Sequence, residues 1–139
     1  IMGGISLQEN EEGILSRNLL TEAWRFTPGR GWEDLPNLPR FCAAAPSPAP
    51  VSGNSRYIHL LGGDDGTLSG FSPIQEHPGF VSGSLVFDTQ THIWEDMGEI
   101  PAPRAVLPCC EWEGGAIIVN GDCRPGKRSN ELWKITFTD

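Results

Sequence analysis

Apolar residues fall in short runs closed by Gly, Pro, Asn or Asp, and no stretch carries the 3.6-residue apolar period of an amphipathic helix. The clearest set of runs predicts a four-strand unit, labelled a to d. Strand a is the small-residue stretch 41–49. Strand b is 57–61 and ends at Gly62-Gly63; strand c is 83–88; strand d is 92–97, after the short turn 89–91. Residues 20–27 and 31–35 repeat strands c and d ahead of this unit, and Ile1-Met2-Gly3-Gly4 reads as the end of a b strand. After it, 105–112, 116–120 and 131–137 repeat a, b and c. The pattern predicts ten antiparallel strands and no helix longer than about two turns.

Three markers recur in step with these strands. Diglycines close apolar runs at Gly3-Gly4 and Gly62-Gly63, with Asn120-Gly121 a degenerate copy, so Gly4, Gly63 and Gly121 stand 59 and 58 residues apart. Trp32-Glu33-Asp34 returns as Trp94-Glu95-Asp96 after 62 residues, and Pro39-Arg40 returns as Pro103-Arg104 after 64. Four antiparallel strands with diglycine and Trp markers are the pattern of a kelch repeat, a twisted sheet that buries both faces only between neighbours. The glycines allow close backbone approach, and the Trp is large enough to fill the gap between blades.

The expected fold is therefore all-β, a kelch-type β-propeller of which the chain holds about half. Strands b-c-d of one blade fall in 1–39, a complete blade in 40–103 and strands a-b-c of another in 104–139. Ten strands are too few for a ring of roughly four to eight blades. The remaining blades or a second copy of the chain are expected as partners. Residue 139 is read as a natural end, with the last blade completed by a strand from the other end of the chain.

Composition narrows the function. Gly 17 and Pro 12 suit many short strands joined by turns. The net charge of −8 argues against nucleic acid or an anionic membrane as partner. No run of 18 apolar residues exists, so no membrane-spanning helix is expected. Cys42, Cys109, Cys110 and Cys123 form no C-x-x-C pair, so no zinc site is expected, and Cys109-Cys110 are read as small packed hydrophobes. Eight of the ten basic residues are Arg, the side chain suited to bidentate capture of a carboxylate.

Meander topology then selects a face. The d–a and b–c connections share one face of a propeller, and the a–b and c–d turns share the other. The second receives only the short turns 28–30, 52–56, 89–91 and 113–115. The first receives 5–19, Arg40, 64–82, Arg104 and 121–130. Long loops on a rigid scaffold tend to carry function. Loop 121–130 bends at Pro125-Gly126 and carries Asp122, Arg124, Lys127 and Arg128. Each candidate also has a purely structural reading. Arg124 and Arg128 can pair with Asp122 and Glu131, and Arg40 and Arg104 can hydrogen-bond between blades. Asp64 and Asp65 can cap the turn after the diglycine, and His77 reads as a surface residue.

The segment Gly121-Asp122-Cys123-Arg124-Pro125-Gly126-Lys127-Arg128-Ser129 resembles the Gly-Glu-x-(Arg/Lys)-Pro-Gly-x-Arg-(Ser/Thr) segment of the bacterial kelch-type sialic acid mutarotases, the N-acetylneuraminate epimerases. Phe87-Asp88, the Trp94 strand and the apolar run before Asn120-Gly121 fall in that family's order. The resemblance covers essentially the whole chain, against part of a six-bladed propeller. It implies acid/base anomerisation of N-acetylneuraminate or a related acidic sugar, with no cofactor and no metal, in a periplasmic or secreted setting, with the cytoplasm as the alternative compartment. By position the acid/base role falls on Asp122, where the family has Glu. Substrate contacts are expected from Arg124, Arg128, Arg104, Arg40, Asp64 and Asp65. The alternative is a non-catalytic kelch propeller that binds protein or glycan. A copper radical oxidase would need a Cys–Tyr pair, and the single Tyr57 lies inside a strand.

Overall fold

A computed structural model describes residues 1–137. Thirteen strands and one 3-10 turn at 74–76 make up its regular structure. β1 (Ile5–Glu9) pairs with β2 (Leu15–Leu19), and β3 (Ala23–Thr27) pairs with β4 (Gly31–Leu35). β5 (Val51–Ser52), β6 (Tyr57–Leu61), β7 (Gly83–Asp88) and β8 (Ile93–Glu99) form a four-stranded meander in sequence order. β9 (Cys109–Trp112), β10 (Gly115–Val119) and β13 (Leu132–Ile135) form a three-stranded sheet with β10 central, and β11 (Asp122–Arg124) pairs with β12 (Lys127–Arg128). All these strand pairs are antiparallel.

Strands β6 and β10 lie in separate sheets, as the repeated diglycine requires. The expected count of ten differs from the observed 13 for two reasons. The connections 5–19 and 121–130 each fold back as a hairpin, adding β1, β2, β11 and β12. In addition, strand a at 41–49 does not form. Pro46, Pro48 and Pro50 remove three backbone donors, so the segment meets its neighbours through isolated bridges at Ala43 and Ser47 and single hydrogen bonds to the Cys42 and Ala44 carbonyls, and regular pairing with β6 waits until β5. The expected b strand at the start likewise survives as one bridge, Met2 to Ala23. The expectation placed on residue 139 lies outside the described residues.

The Trp marker behaves as a wedge where a second sheet is present. Trp94 stands opposite Phe87 in the β7–β8 register, and their ring centroids lie 4.8 Å apart. Its indole Nε1 donates to the Pro36 carbonyl at 3.0 Å, reaching the segment that follows β4. Beneath it, Ala23, Leu38, Cys42, Leu60 and Leu85 form one buried cluster drawn from both sheets. Trp32 holds the matching register position opposite Phe26 but is 55% exposed, because no sheet covers that face among the described residues. A second cluster, Leu107, Cys109, Ala116 and Ile118, sits in the β9–β10–β13 sheet. Cys110 is exposed, contrary to its expected packing, because successive strand residues face opposite sides.

The turn between β7 and β8 is held by Asp88. Its carboxylate accepts from Arg56 Nη2 at 2.5 Å and Arg56 Nε at 3.1 Å, and from the amide of Gln90 at 2.8 Å. The Arg56 guanidinium holds the Asp88 carboxyl well below the usual carboxylate range. A depressed acid stabilises the fold above its unfolded pKa, near 4, and loses that contribution as pH falls below it. Asp88→Asn keeps the turn acceptor and removes the charge. We therefore expect a melting temperature below that of the intact protein at pH 7, with the gap narrowing steadily below about pH 4. Thermal unfolding followed by circular dichroism from pH 7 down to pH 2 measures this, and a gap independent of pH would contradict it.

Candidate functional site

The site begins with glycine turns at the ends of β6 and β10. Gly62 (φ 65°) and Gly63 (φ 83°) precede Asp64, and Asn120 (φ 59°) and Gly121 (φ 83°) precede Asp122. This left-handed backbone turns each acid back toward the inner segment. Ala43 and Asp64 exchange two N–H···O bonds, of 2.9 and 2.8 Å, and Ala105 and Asp122 exchange two of 3.0 and 2.8 Å. Asp122 therefore has a structural counterpart, Asp64, in the preceding sheet. The turns leave no room for a side chain. A Cβ on Gly63 would lie 2.8 Å from the Ala43 carbonyl, and one on Gly121 would lie 2.9 Å from Leu107 Cβ and 3.1 Å from the Ala105 carbonyl.

Around Asp122 the loop folds as β11–β12, closed by the Ser129 amide donating to the Gly121 carbonyl at 2.8 Å. The Asp122 carboxylate lies 3.4 Å from Arg128 Nε, with the acid 19% exposed and the guanidinium 67% exposed. Arg128 and Lys127 line a cavity of about 510 Å³, together with Arg104, Cys123, Glu131, Trp133 and the Pro78-Gly79 backbone. Arg104 is the buried member, its side chain 8% exposed. One of its Nη atoms donates to the Glu131 carboxylate, which also accepts from Trp133 Nε1 at 3.3 Å. Arg104 Nε is buried and has no partner among the described residues. An acidic chain thus gathers three cations on one wall, one of them with an unused donor.

Four of the expected candidates are engaged in other contacts. Arg40 donates to the carbonyls of Gly62 and Gly83, at 3.0 and 2.9 Å, which clasps the end of β6 to the start of β7. This is the hydrogen-bonding role, taken within one sheet rather than between blades. Arg124 donates to the Gln75 carbonyl and anchors the 64–82 loop. Asp64 Oδ1 accepts from the Gly66 amide at 2.9 Å, and Asp65 Oδ1 accepts from Thr67 N and Oγ1 at 3.0 and 2.7 Å, so both acids cap the turn. They also line a smaller cavity of about 170 Å³. Asp122 and Arg124 line neither cavity.

His77 is not a surface residue. It is buried, its Nδ1 accepts from the Gly79 amide at 3.1 Å, and its ring meets Phe71 edge-on at 5.3 Å. The aromatic residues flanking it in the loop were the available signal, because a polar loop does not need Phe71 and Phe80. Glu131 and Trp133 were missed as site residues because the first precedes β13 and the second lies within it, and only the fold brings them to Arg104. Burial pushes the Cys42 and Cys109 thiols up, away from the reactive thiolate. Among the described residues no three His, Cys, Asp or Glu side chains converge as a metal site, and no helix is long and apolar enough to cross a membrane.

Gly121 tests how the site is positioned. Gly121→Ala forces a Cβ onto the Leu107 side chain at a φ that L-residues avoid, a strain of about 1–3 kcal/mol. We expect a lower melting temperature and, in NMR spectra, amide shifts at Ala105 and Asp122 but not at Arg56 or Asp88. Unchanged stability would show that the turn tolerates a side chain.

No protein-family model matches the sequence, and no curated protein matches it. Among solved structures, that of YjhT superposes on 99% of this chain with a TM-score of 0.72 at 20% sequence identity. The chain spans 45% of the length of YjhT. At that identity the likeness concerns the fold. Together with the repeated glycine turns and antiparallel sheets, it establishes that this chain is all-β and folds as part of a kelch-type β-propeller.

Proposed function

We propose that this chain forms part of a sugar mutarotase-like propeller that anomerises N-acetylneuraminate or a related acidic sugar. The observation that carries the reading is the cation-lined cavity beside the Asp122–Arg128 pair, in an otherwise acidic chain. The motif at 121–129 supports it independently. Arg104 and Arg128 present guanidinium N–H groups to the sugar carboxylate, and Lys127 adds a point charge. Asp122 acts as the acid/base. As a carboxylate it takes the proton of the anomeric hydroxyl while a water molecule protonates the ring oxygen and the ring C–O bond breaks. The open keto form then recloses on its other face and the proton returns. The ring C–O bond breaks and re-forms, protons are exchanged with no net change, and no cofactor is consumed. Arg124 and Arg40 are framework residues in this reading, and Asp64 and Asp65 shape the neighbouring loop.

Asp122→Asn should leave sugar binding intact and slow anomer exchange by about 10²–10⁴, the usual weight of acid/base catalysis. Because Arg128 is largely exposed, Arg128→Ala should weaken binding by only about tenfold, less than loss of a buried charge pair would cost. NMR of N-acetylneuraminate anomer exchange with the intact protein and both variants tests this. Unchanged exchange in Asp122→Asn removes Asp122 from the mechanism. One observation favours a second reading: Asp122 pairs with Arg128 and lines neither cavity, which suits a propeller that binds an acidic glycan without turning it over. Binding without acceleration by the intact protein is the outcome that selects it.

We further propose that the ring is completed by additional blades or by a second copy of the chain. The first and last sheets expose Phe26, Trp32, Trp112 and Leu132, large apolar side chains that a propeller covers between blades. The 139 residues alone should self-associate or unfold without cooperativity. Sedimentation as a stable, cooperatively unfolding monomer would refute the proposal.

A further inference from the structure

The smaller cavity lies under the 64–82 loop and is walled by Asp64, Asp65, Leu68, His77 and Phe80. It shares Pro78 and Gly79 with the larger cationic cavity, so one strip of backbone separates the two. That strip is tight: a Cβ on Gly79 would lie 3.0 Å from the Cys123 carbonyl. We propose that the smaller cavity is a second lobe of the same site and takes a polyhydroxyl arm of the sugar, with Asp64, Asp65 and His77 as its hydrogen-bonding groups. This rests on the reading of the larger cavity as an acidic-sugar site.

The polar inventory selects the ligand class. His77 is 8% exposed and lines the cavity. The Gly79 amide donates to its Nδ1, which leaves Nε2 to carry the ring hydrogen, and that N–H has no partner among the described residues. Each acid uses Oδ1 to cap the loop, and neither Oδ2 has a hydrogen-bond partner among the described residues. Thr67 also lines the lobe, but its hydroxyl hydrogen is used on Asp65 Oδ1, so the lobe offers one free donor and two carboxylate acceptors. An anion would meet two like charges, and an ammonium would leave the imidazole donor unmatched. Hydroxyl groups both donate and accept, so neighbouring hydroxyls satisfy all three. The apolar remainder, Leu68 and Phe80, suits the C–H face of a carbohydrate chain. At about 170 Å³ the lobe is smaller than the roughly 300–1,000 Å³ of a whole small-molecule site, so it holds an arm and not a complete sugar. Asp64 occupies the position that Asp122 holds one sheet later, so the lobe is lined by the earlier copy of a repeated acid.

The test uses the intact protein with His labelled for NMR, and two ligands: N-acetylneuraminate, and the same sugar with its side chain shortened by periodate cleavage and borohydride reduction of its methyl glycoside, the methyl group then being removed. The His77 ring signals should shift saturably with the full sugar, and shortening should weaken binding about 10–100-fold. Asp64→Asn with Asp65→Asn keeps both loop-capping oxygens and should bring the two affinities together. If both ligands bind alike and His77 does not respond, the second lobe is wrong while the acidic-sugar reading stands. If neither sugar binds, a neutral hexitol decides: a saturable His77 shift supports the polyol lobe without the acidic-sugar reading, and no shift overturns both.

Discussion

The two-way backbone pairing of Ala43 with Asp64, repeated by Ala105 with Asp122, is the interaction on which the rest depends. It forms only because the two residues ahead of each acid take left-handed φ values, a region glycine enters without steric cost. The chain leaves an outward strand, reverses within two residues, and returns to the inner segment. Without that reversal β6 and β10 would end in unpaired backbone, and the following loops would have no fixed origin. The same turn ties sheet to sheet, since the Gly63 amide donates to the Arg104 carbonyl at 3.2 Å.

A repeat built this way supplies equivalent positions that can diverge. Arg40 and Arg104 open successive units, and both guanidinium groups reach the junction between a b strand and the next c strand. Arg40 meets two backbone carbonyls there. Arg104 meets the Glu131 carboxylate instead and keeps a buried Nε–H without a partner. One position thus serves as a clasp in the first unit and lines a cavity in the next. Asp64 and Asp122 diverge in the same manner: the first caps a turn, and the second faces a cation.

Charge is distributed to match. The chain carries a net −8, yet Arg104, Lys127 and Arg128 share one cavity wall while Asp64 and Asp65 lie across the Pro78-Gly79 backbone. Neighbouring regions of opposite sign are costly to assemble unless a scaffold holds them, because the charges would otherwise pair with each other. Here the scaffold is rigid backbone pairing. Arg124 joins the two regions mechanically by holding the Gln75 carbonyl, so the 64–82 loop and the β11–β12 hairpin are fastened together.

The sequence by itself determined the fold class, the repeat and the face on which long loops gather. These depend on local properties: short apolar runs closed by turn residues, glycines that reach positive φ, and a Trp that recurs at a fixed spacing, which the sheets place opposite Phe26 and Phe87 in the same register. It also marked Asp122 with Arg128, because a short bend brings near neighbours together. Prolines at 46, 48 and 50 were legible as well, but their weight against a strand at 41–49 was not, since an extended segment without donors still looks strand-like in composition. Tertiary structure alone decided the partners. Glu131 reaches Arg104 across 27 residues and Arg124 reaches Gln75 across 49, distances over which a sequence carries no directional signal. Burial of His77 was decided in the same way, because a loop histidine becomes an interior one only when two aromatic rings close over it, and that closure depends on where the neighbouring sheet stands.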